Sequence, residues 1–522
     1  MKRGALLHSQ IRLRKKQISP NAEAHRVRGA FYLLLMLAVS VIPFALAQRT
    51  PATTITVTNT NDSGPGSLRQ ALTDANDADT IVFAVTGTVA LTSGGLLIAK
   101  NITIAGPGSN QLSIDGNQAI FVFGIFPGKT ATISGLTIRN AETGAGVWNE
   151  QATLTVSNCA VTSNSHEGVF NDEGTLNVNN CILSDNSGAG IAAYFGITSV
   201  SNCIVSGNSS GGLFNDGPHH GPYGHPPNGP VGSPGSMTIA DSVISDNSGP
   251  GVSNVAGLLT VLNSTLSGNS AGEALNGGGI MSGPLFKTVA GVTLINSTIS
   301  GNSASGFGGG IAGGYWGVTI VNSTISGNSA GDSAGGVGGT FVGIMNSTIS
   351  GNSAGKIGGG IATSGSAITS STISGNSAPS AGGIYYGQGP YTSEISNTIF
   401  NAGALGENIV NNGANVISHG YNLSSDDGGG VLNGPGDQIN IDPLLGPLQD
   451  NGGPTLTHPL LPGSPAIDAG DPNFSPPPFN DQRGCPFDRV FNGRIDIGSF
   501  ERQPLGRSCV TPRRRPTPAP RP

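Results

Sequence analysis

Apolar residues along this chain come in short bursts separated by breaks of Asn, Gly, Ser and Asp, and the bursts recur with a period near 22 residues. From Gly146 the chain reads GVWNEQATLTVSNCAVTSNSHE and from Gly168 it reads GVFNDEGTLNVNNCILSDNSGA, two units that align without a gap. Each holds three bursts: Val147 with Trp148, Leu154 and Val156 alternating with Thr153 and Thr155, and Cys159 with Val161. Alternation over four or five residues bounded by turn formers is a strand signal. With no crossover helix in the unit, the pattern predicts three short strands per turn, each paired with its counterpart one turn away at about 4.8 Å.

The unit persists. NSTISGNSA stands at 296–304, 322–330 and 346–354, and looser copies place its first position at Asn158, Asn180, Asn202, Asp241, Asn263, Ser370 and Asn397. A unit this small cannot be a domain, so each is one turn of a stack. A turn buries only about five aliphatic side chains, each stabilising by about 1.5–3 kcal/mol, while ordering each backbone residue costs about 1–2 kcal/mol. Turns must therefore stack to be stable. The expected fold is all-β, a right-handed parallel β-helix of about 12 turns with a short N-terminal capping helix. Three residues after the phrase's first Asn stands an apolar position, from Val161 and Leu183 to Ile373 and Phe400; it should form an inward ladder. The first Asn suits a left-handed corner and is expected to stack as a buried amide ladder. That burial would make the Asn-Ser-Thr sequons at Asn296, Asn322 and Asn346 unreachable to a sugar transferase.

Both ends of such a stack need covering, because they expose core and unpaired strand edges. At 64–76 the sequence GPGSLRQALTDAN places Ser67 three residues before Gln70, a capping box that opens a helix, with Leu68, Ala71 and Leu72 facing the first turn. The stretch TVTNTNDSGPGSLRQALTDAN at 56–76 resembles the N-terminal cap of bacterial surface proteins known by the motif CSLREAI, with Gly66 at the Cys position. GGGI at 308–311 and ISGN at 299–302 resemble the repeats of polymorphic outer-membrane proteins. DPLLGPLQDNGGPTLTHPLLPGSPAIDAGD at 442–471, DQRG at 481–484 and DIGSFE at 496–501 resemble the choice-of-anchor Q family. The resemblance implies a secreted or surface β-helix and carries no catalytic residues with it. The expected organisation is a leader at 1–47, an N-terminal cap and first turns at 52–105, repeats at 106–441, a C-terminal cap at 442–503 and a Pro/Arg-rich tail at 504–522.

Charge sharpens the class. Residues 1–28 hold eight of the chain's 24 Lys and Arg and one of its 30 Asp and Glu, and an uncharged run ending in Ala45-Leu46-Ala47 follows. This reads as a secretory signal cleaved after Ala47, with an uncleaved anchor as the alternative. Its removal takes the net charge from −6 to −13, which argues against nucleic acid and anionic membranes as partners. No second apolar span follows. Polysaccharide or surface proteins are the expected partners, at the cell surface or outside the cell.

Chemistry is harder to find. β-Helical enzymes of acidic polysaccharides need clustered Asp, Lys and Arg on one outer strand, yet between 251 and 378 the only charged residues are Glu273, Lys287, Asp332 and Lys356. Asp426 and Asp427 precede Gly428–Gly430 and read as a loop. His219, His220, Tyr223 and His225 crowd the insertion at 217–230, whose five Pro and four Gly argue against a preorganised zinc site. The insertion is the expected binding loop. Cys159, Cys181 and Cys203 share one column and read as stacked thiols, whereas Cys485 and Cys509 flank the terminal cap and are expected to pair in an exported protein. No catalytic, cofactor or metal residue is assigned. The expected function is structural, adhesive or recognition, with a lyase or hydrolase of acidic polysaccharide as the alternative.

Overall fold

The computed structural model describes residues 52–117, 119, 121–217, 235–272, 276–283, 290–314 and 317–504. They wind into a parallel β-solenoid with three long sheets. Named in their order within a turn, the first sheet has 13 strands from Leu96–Ile98 to Ile409–Asn411, the second 15 from Thr54–Val57 to Asn415–Gly420, and the third 14 from Gly87–Ala90 to Leu423–Ser424. That makes about 14 turns rather than 12. The difference lies at the ends, where strands such as Leu112–Asp115 and Ile409–Asn411 complete turns whose sequence has lost the repeated phrase. A fourth sheet of four two-residue strands, Ser270–Ala271, Ser303–Ala304, Ser329–Ala330 and Ser353–Ala354, is built from the last two letters of the phrase.

The predicted inward ladder is the core. Val161, Leu183, Val205, Ile244, Leu266, Ile299, Ile325, Ile349, Ile373 and Phe400 are all buried and meet turn upon turn in register. The phrase's first Asn does take the left-handed corner, with φ between 47° and 54° from Asn158 to Asn397. It is not the buried ladder, however. From Asn180 to Asn346 each of these amides donates to the side chain one turn back, as Asn322 does to Asn296 at 3.2 Å, but the column from Asn158 to Asn263 is exposed and Asn296 and Asn322 are half-buried. A left-handed corner turns its side chain outward. Burial therefore does not shield the sequons at Asn296 and Asn322; Asn346 alone of the three is buried.

The buried amides belong to the phrase's second Asn. Asn164, Asn186, Asn208, Asn247, Asn269, Asn302, Asn328, Asn352 and Asn376 form an unbroken internal column. The Oδ1 of Asn328 accepts from both the N–H and the Nδ2 of Asn302, at 2.9 and 3.0 Å, while its own Nδ2 donates to the Ile299 carbonyl at 2.9 Å and to Asn352 Oδ1 at 2.9 Å. Each side chain thus ties three turns together. Beside it runs a sulfur-and-hydroxyl column: Cys159, Cys181 and Cys203 are free, buried thiols, each accepting the backbone N–H of the residue one turn earlier or handing that role to Ser242 and the serines beyond.

The N-terminal helix, Leu68–Asp74, starts as expected on Ser67, whose Oγ accepts from the Gln70 N–H at 3.2 Å. The box is half-made, because the Gln70 side chain turns to Asp74 instead of back to Ser67. Leu68 and Ala71 are buried, and Leu72 packs on the same core. Asp62 fastens this cap: it accepts from Arg69 at 2.6 Å, from Thr92 at 3.1 Å and from Ser93. At the other end the loop after Ser424 supplies Val431 and Leu432, which pack with Ala414 and Val416 on the core of the last turn. Asp426 and Asp427 serve this loop: Asp426 accepts from the N–H groups of Asn408 and Gly428, and Asp427 from Gly429.

The C-terminal segment does not sit over the end of the stack. It lies along the outer face of the third sheet, with Thr324 Oγ1 donating to the Leu456 carbonyl, Thr348 Oγ1 to Gln482 Oε1 and Ser499 N–H to Thr372 Oγ1. The outward Thr of the repeated phrase is the column it grips, and Ile399 and Leu423 join Leu460, Ala466, Ile497 and Phe500 in a second core. Within the segment the Arg483 guanidinium pairs with Asp481 at 2.6 Å and lies between the Phe487 and Phe500 rings. Cys485 is disulfide-bonded; Cys509 lies outside the described residues.

Two outcomes test this account. Replacing Asn328 by Ala strips the Asn302 N–H and amide of their shared acceptor and is expected to destabilise by about 3 kcal/mol in denaturant unfolding, whereas Thr319→Ala on the exposed face of the second sheet changes stability by less than about 0.5 kcal/mol. Burial raises the Asp62 carboxyl, but hydrogen bonds from Ser93, Arg69 and Thr92 outweigh it and pull the pKa down to about 2. A carboxyl depressed in the folded state stabilises above its unfolded pKa, and that stability disappears as the pH falls through the folded one. Wild type should therefore exceed Asp62→Asn by about 2 kcal/mol near neutrality, and the gap should close between about pH 4 and pH 2; a gap independent of pH would refute the assignment.

Candidate binding face on the first sheet

Residues of a strand alternate between the core and the outside, so the first sheet presents one outward column that pairs in register through Leu97, Gly124, Trp148, Phe170, Ala192, Phe214, Ser253, Met281, Ala312, Gly338, Ala362 and Tyr385. Apart from Gly124, these are the residues that follow the G-V, G-I or G-L pair of each unit. Their sizes divide the face in two.

The upper turns carry large rings. Trp148 stacks on Phe170 with centroids 4.4 Å apart, Phe170 meets Tyr194 at 5.4 Å, and Tyr194 meets Phe214 at 5.3 Å. Each ring covers the next, and such pairs stabilise by about 0.5–1.5 kcal/mol beyond the area they bury. The next outward position holds Glu150, Asp172, Tyr194 and Asp216.

In the lower turns the column shrinks to Ala312, Gly338 and Ala362, and a groove of about 730 Å³ opens over Ala312 and Ala362. Met281 and Tyr385 stand at its two ends, Phe307 and Ile357 form one wall, and Ser282, Thr340 and Ser364 line the other parts. The Phe307 ring lies where a Cβ on Gly338 would be, so glycine is required at this position for the ring to close over the floor. The Tyr385 hydroxyl accepts from Asn412 Nδ2 at 2.8 Å. Not one of the described lining residues is charged.

His219, His220, Tyr223 and His225 lie outside the described residues, in the insertion that follows Asp216 at the end of a first-sheet strand. The groove itself was missed, although the G-V-x, G-I-x pattern carries its signal: the third letter runs Trp, Phe, Ala, Phe, Ser, Met, Ala, Gly, Ala, Tyr down the stack.

One acidic cluster has the look of a metal site. Asp468, Asp496 and Glu501 bring a carboxylate oxygen each within 4.8 Å of one another, an all-oxygen set of the kind hard cations take. The oxygens of Asp496 and Glu501 are already engaged. Asp496 accepts from the N–H groups of Asp468 and Arg502, and Glu501 from those of Phe491 and Asp496. Burial pushes Glu501 up to about 9, with the buried Arg489 opposing it. The DQRG and DIGSFE stretches are thus a structural network that holds the side segment in shape. His458 belongs to the same construction: its Nδ1 donates to the Gly446 carbonyl at 2.8 Å, Nε2 accepts from Ser350 Oγ at 2.8 Å, and burial lowers its pKa.

The architecture defines the class of protein, a right-handed parallel β-helix. A family model described as a right handed beta helix region matches residues 79–220. No curated protein matches the chain in sequence. Among solved structures, pectate lyase Pel9A aligns at 16% identity over 87% of this chain and 97% of its own, with a TM-score of 0.32. The A-module of the Azotobacter vinelandii mannuronan C-5 epimerase AlgE6 aligns at 14% over 70% and 97%, with a TM-score of 0.43. A GH87 alpha-1,3-glucanase from Streptomyces thermodiastaticus aligns at 15% over 72% and 69%, with a TM-score of 0.39. At these identities the likeness concerns the fold alone. Among the described residues no helix is long and apolar enough to cross a membrane.

The fit of Phe307 over Gly338 is directly testable. Gly338→Ala must displace the ring and is expected to destabilise by about 1–3 kcal/mol, while Gly343→Ala, whose Cβ would meet nothing nearer than 3.8 Å, should be close to neutral in the same thermal or denaturant unfolding assay.

Proposed function

We propose that this protein is an exported surface protein that recognises polysaccharide without cleaving it, using the outer face of its first sheet. The single observation that carries the reading is the groove over Ala312 and Ala362: a concave site with two aromatic side chains and several hydroxyls, and no carboxylate among its described lining residues. Polysaccharide hydrolysis and lyase chemistry need an acid or base within hydrogen-bond reach of the bond being broken. The acidic groups that are most perturbed, Glu501 and Asp496 among them, are spent on backbone N–H groups in the side segment. The leader-like N-terminus and the resemblance of 442–501 to the choice-of-anchor Q family support export and display at the cell surface. A stiff rod whose core is the same in each turn suits presentation of such a face away from the surface that bears it.

The test is to incubate the mature protein with a panel of soluble polysaccharides, measuring binding by affinity electrophoresis and turnover by reducing ends and by absorbance of unsaturated products. Saturable retardation by at least one polysaccharide, with no new ends or double bonds, is the expected result. Turnover, or retardation by none, would overturn the proposal.

A further inference from the structure

We infer that the groove between Met281 and Tyr385 takes a single uncharged glycan chain, laid parallel to the axis of the solenoid; the inference rests on the polysaccharide reading above and names its ligand class. Three observations carry it.

The first is shape. The floor crosses five strands of the first sheet, from Ile280–Ser282 through Ile311–Ala312, Val337–Gly339 and Ile361–Thr363 to Ile384–Tyr386. Four steps of about 4.8 Å give a trough about 19 Å long, which is the length of several linked sugars. Its floor is Ala312 and Ala362 with the Phe307 ring lying over Gly338 between them, so the small residues make room for an aromatic platform. The bridges Phe307↔Ser333 and Ser333↔Ile357 set Phe307 and Ile357 in line with the axis beside this floor, Ile357 at its side and the Phe307 ring reaching over its middle.

The second is charge. The described lining residues include no Lys, Arg, His, Asp or Glu, in a chain whose net charge is −6. A uronate polymer or a nucleic acid would bring a row of negative charges to a negative protein with no cation to meet them. The expected anionic substrate of a β-helical lyase is therefore the ligand this site fits worst.

The third is hydrogen bonding. Every floor strand is already paired to the turn on either side, so no strand edge is free to take an extended peptide by strand addition. What remains are Thr340, Ser364 and the Tyr385 hydroxyl, beside an apolar floor. A sugar ring presents the complementary arrangement, C–H groups on its faces and hydroxyls around its edge, and mostly apolar sites with a few placed polar groups are how proteins bind such ligands.

The experiment is calorimetric titration of the mature protein with neutral glycans (a soluble β-glucan, a xyloglucan, a glucomannan) and with uronates (polygalacturonate, alginate), each at low and high sodium chloride. Two variants go with it: Tyr385→Ala, which removes one aromatic end wall, and Thr340→Trp, which fills the trough from a half-buried rim position. Melting temperatures of both are measured beside wild type, and Thr319→Ala on the second sheet is the control. The expected result is binding of at least one neutral glycan with little salt dependence, weakened about tenfold or more by each variant that melts like wild type, and unchanged in the control. Should one variant fold poorly, the other and the salt dependence decide. Preference for a uronate, or neutral-glycan binding that both folded variants leave intact, overturns this inference while leaving polysaccharide recognition standing. Binding of no polysaccharide overturns both.

Discussion

The interaction on which the rest of the structure depends is the hydrogen bonding of the internal Asn column. At each of these corners the backbone leaves the third sheet, and its N–H and C=O groups point into a region that water does not reach. A buried backbone group without a partner costs about 1–3 kcal/mol, and that cost would recur in every turn. The Asn amide removes it by accepting from the turn before and donating to that turn's carbonyl, as Asn302, Asn328 and Asn352 do in succession. The geometry works only when the turns are in register. One residue type therefore satisfies the corner and fixes the stacking together, and this is why the phrase repeats so closely.

Because the stacking is fixed this way, outward side chains are free to vary in size. The first inward residue of each first-sheet strand changes only among Val, Ile and Leu from Val147 to Ile409, whereas the outward column beside it runs from Trp148 to Gly338 to Tyr385. Neither change disturbs the ladder hydrogen bonds. A groove can thus be made by shrinking three side chains and swinging Phe307 over the gap, with the backbone left where it was. Function in such a scaffold is a matter of outward side-chain size.

Much of this could be read from the chain, and the failures have a common cause. The strand period, the left-handed corner, the inward Ile column and the Ser67 cap all rest on neighbours in sequence or on one repeat of about 22 residues, and they are found as expected. The identity of the buried amide was misread because Asn296 and Asn302 stand in the same phrase and both form ladders; only the direction each corner turns its side chain separates them. The groove was missed because the Phe307 ring reaches across a turn to Gly338, a contact with no local pattern. The side segment was placed at the end of the stack because ends need covers. Its contacts span far more sequence than any repeat, as with Gln482 and Ser323, 159 residues apart.

The side segment also explains a feature of the phrase that the core does not require. The outward residue before the inward Ile of the third sheet is Ile182, Ile204 and Val243 in the middle turns, all well exposed, but Thr in each turn from Thr265 to Thr372. Solvent exposure alone would not select Thr there, since the earlier turns tolerate Ile. Beneath the segment a branched apolar residue would leave the Leu456 carbonyl and the Gln482 amide buried without partners, whereas Thr324, Thr348 and Thr372 meet Leu456, Gln482 and Ser499 directly. The NSTIS of the copies at 322–330 and 346–354 thus meets two surfaces, the core on Ile and the returning chain on Thr.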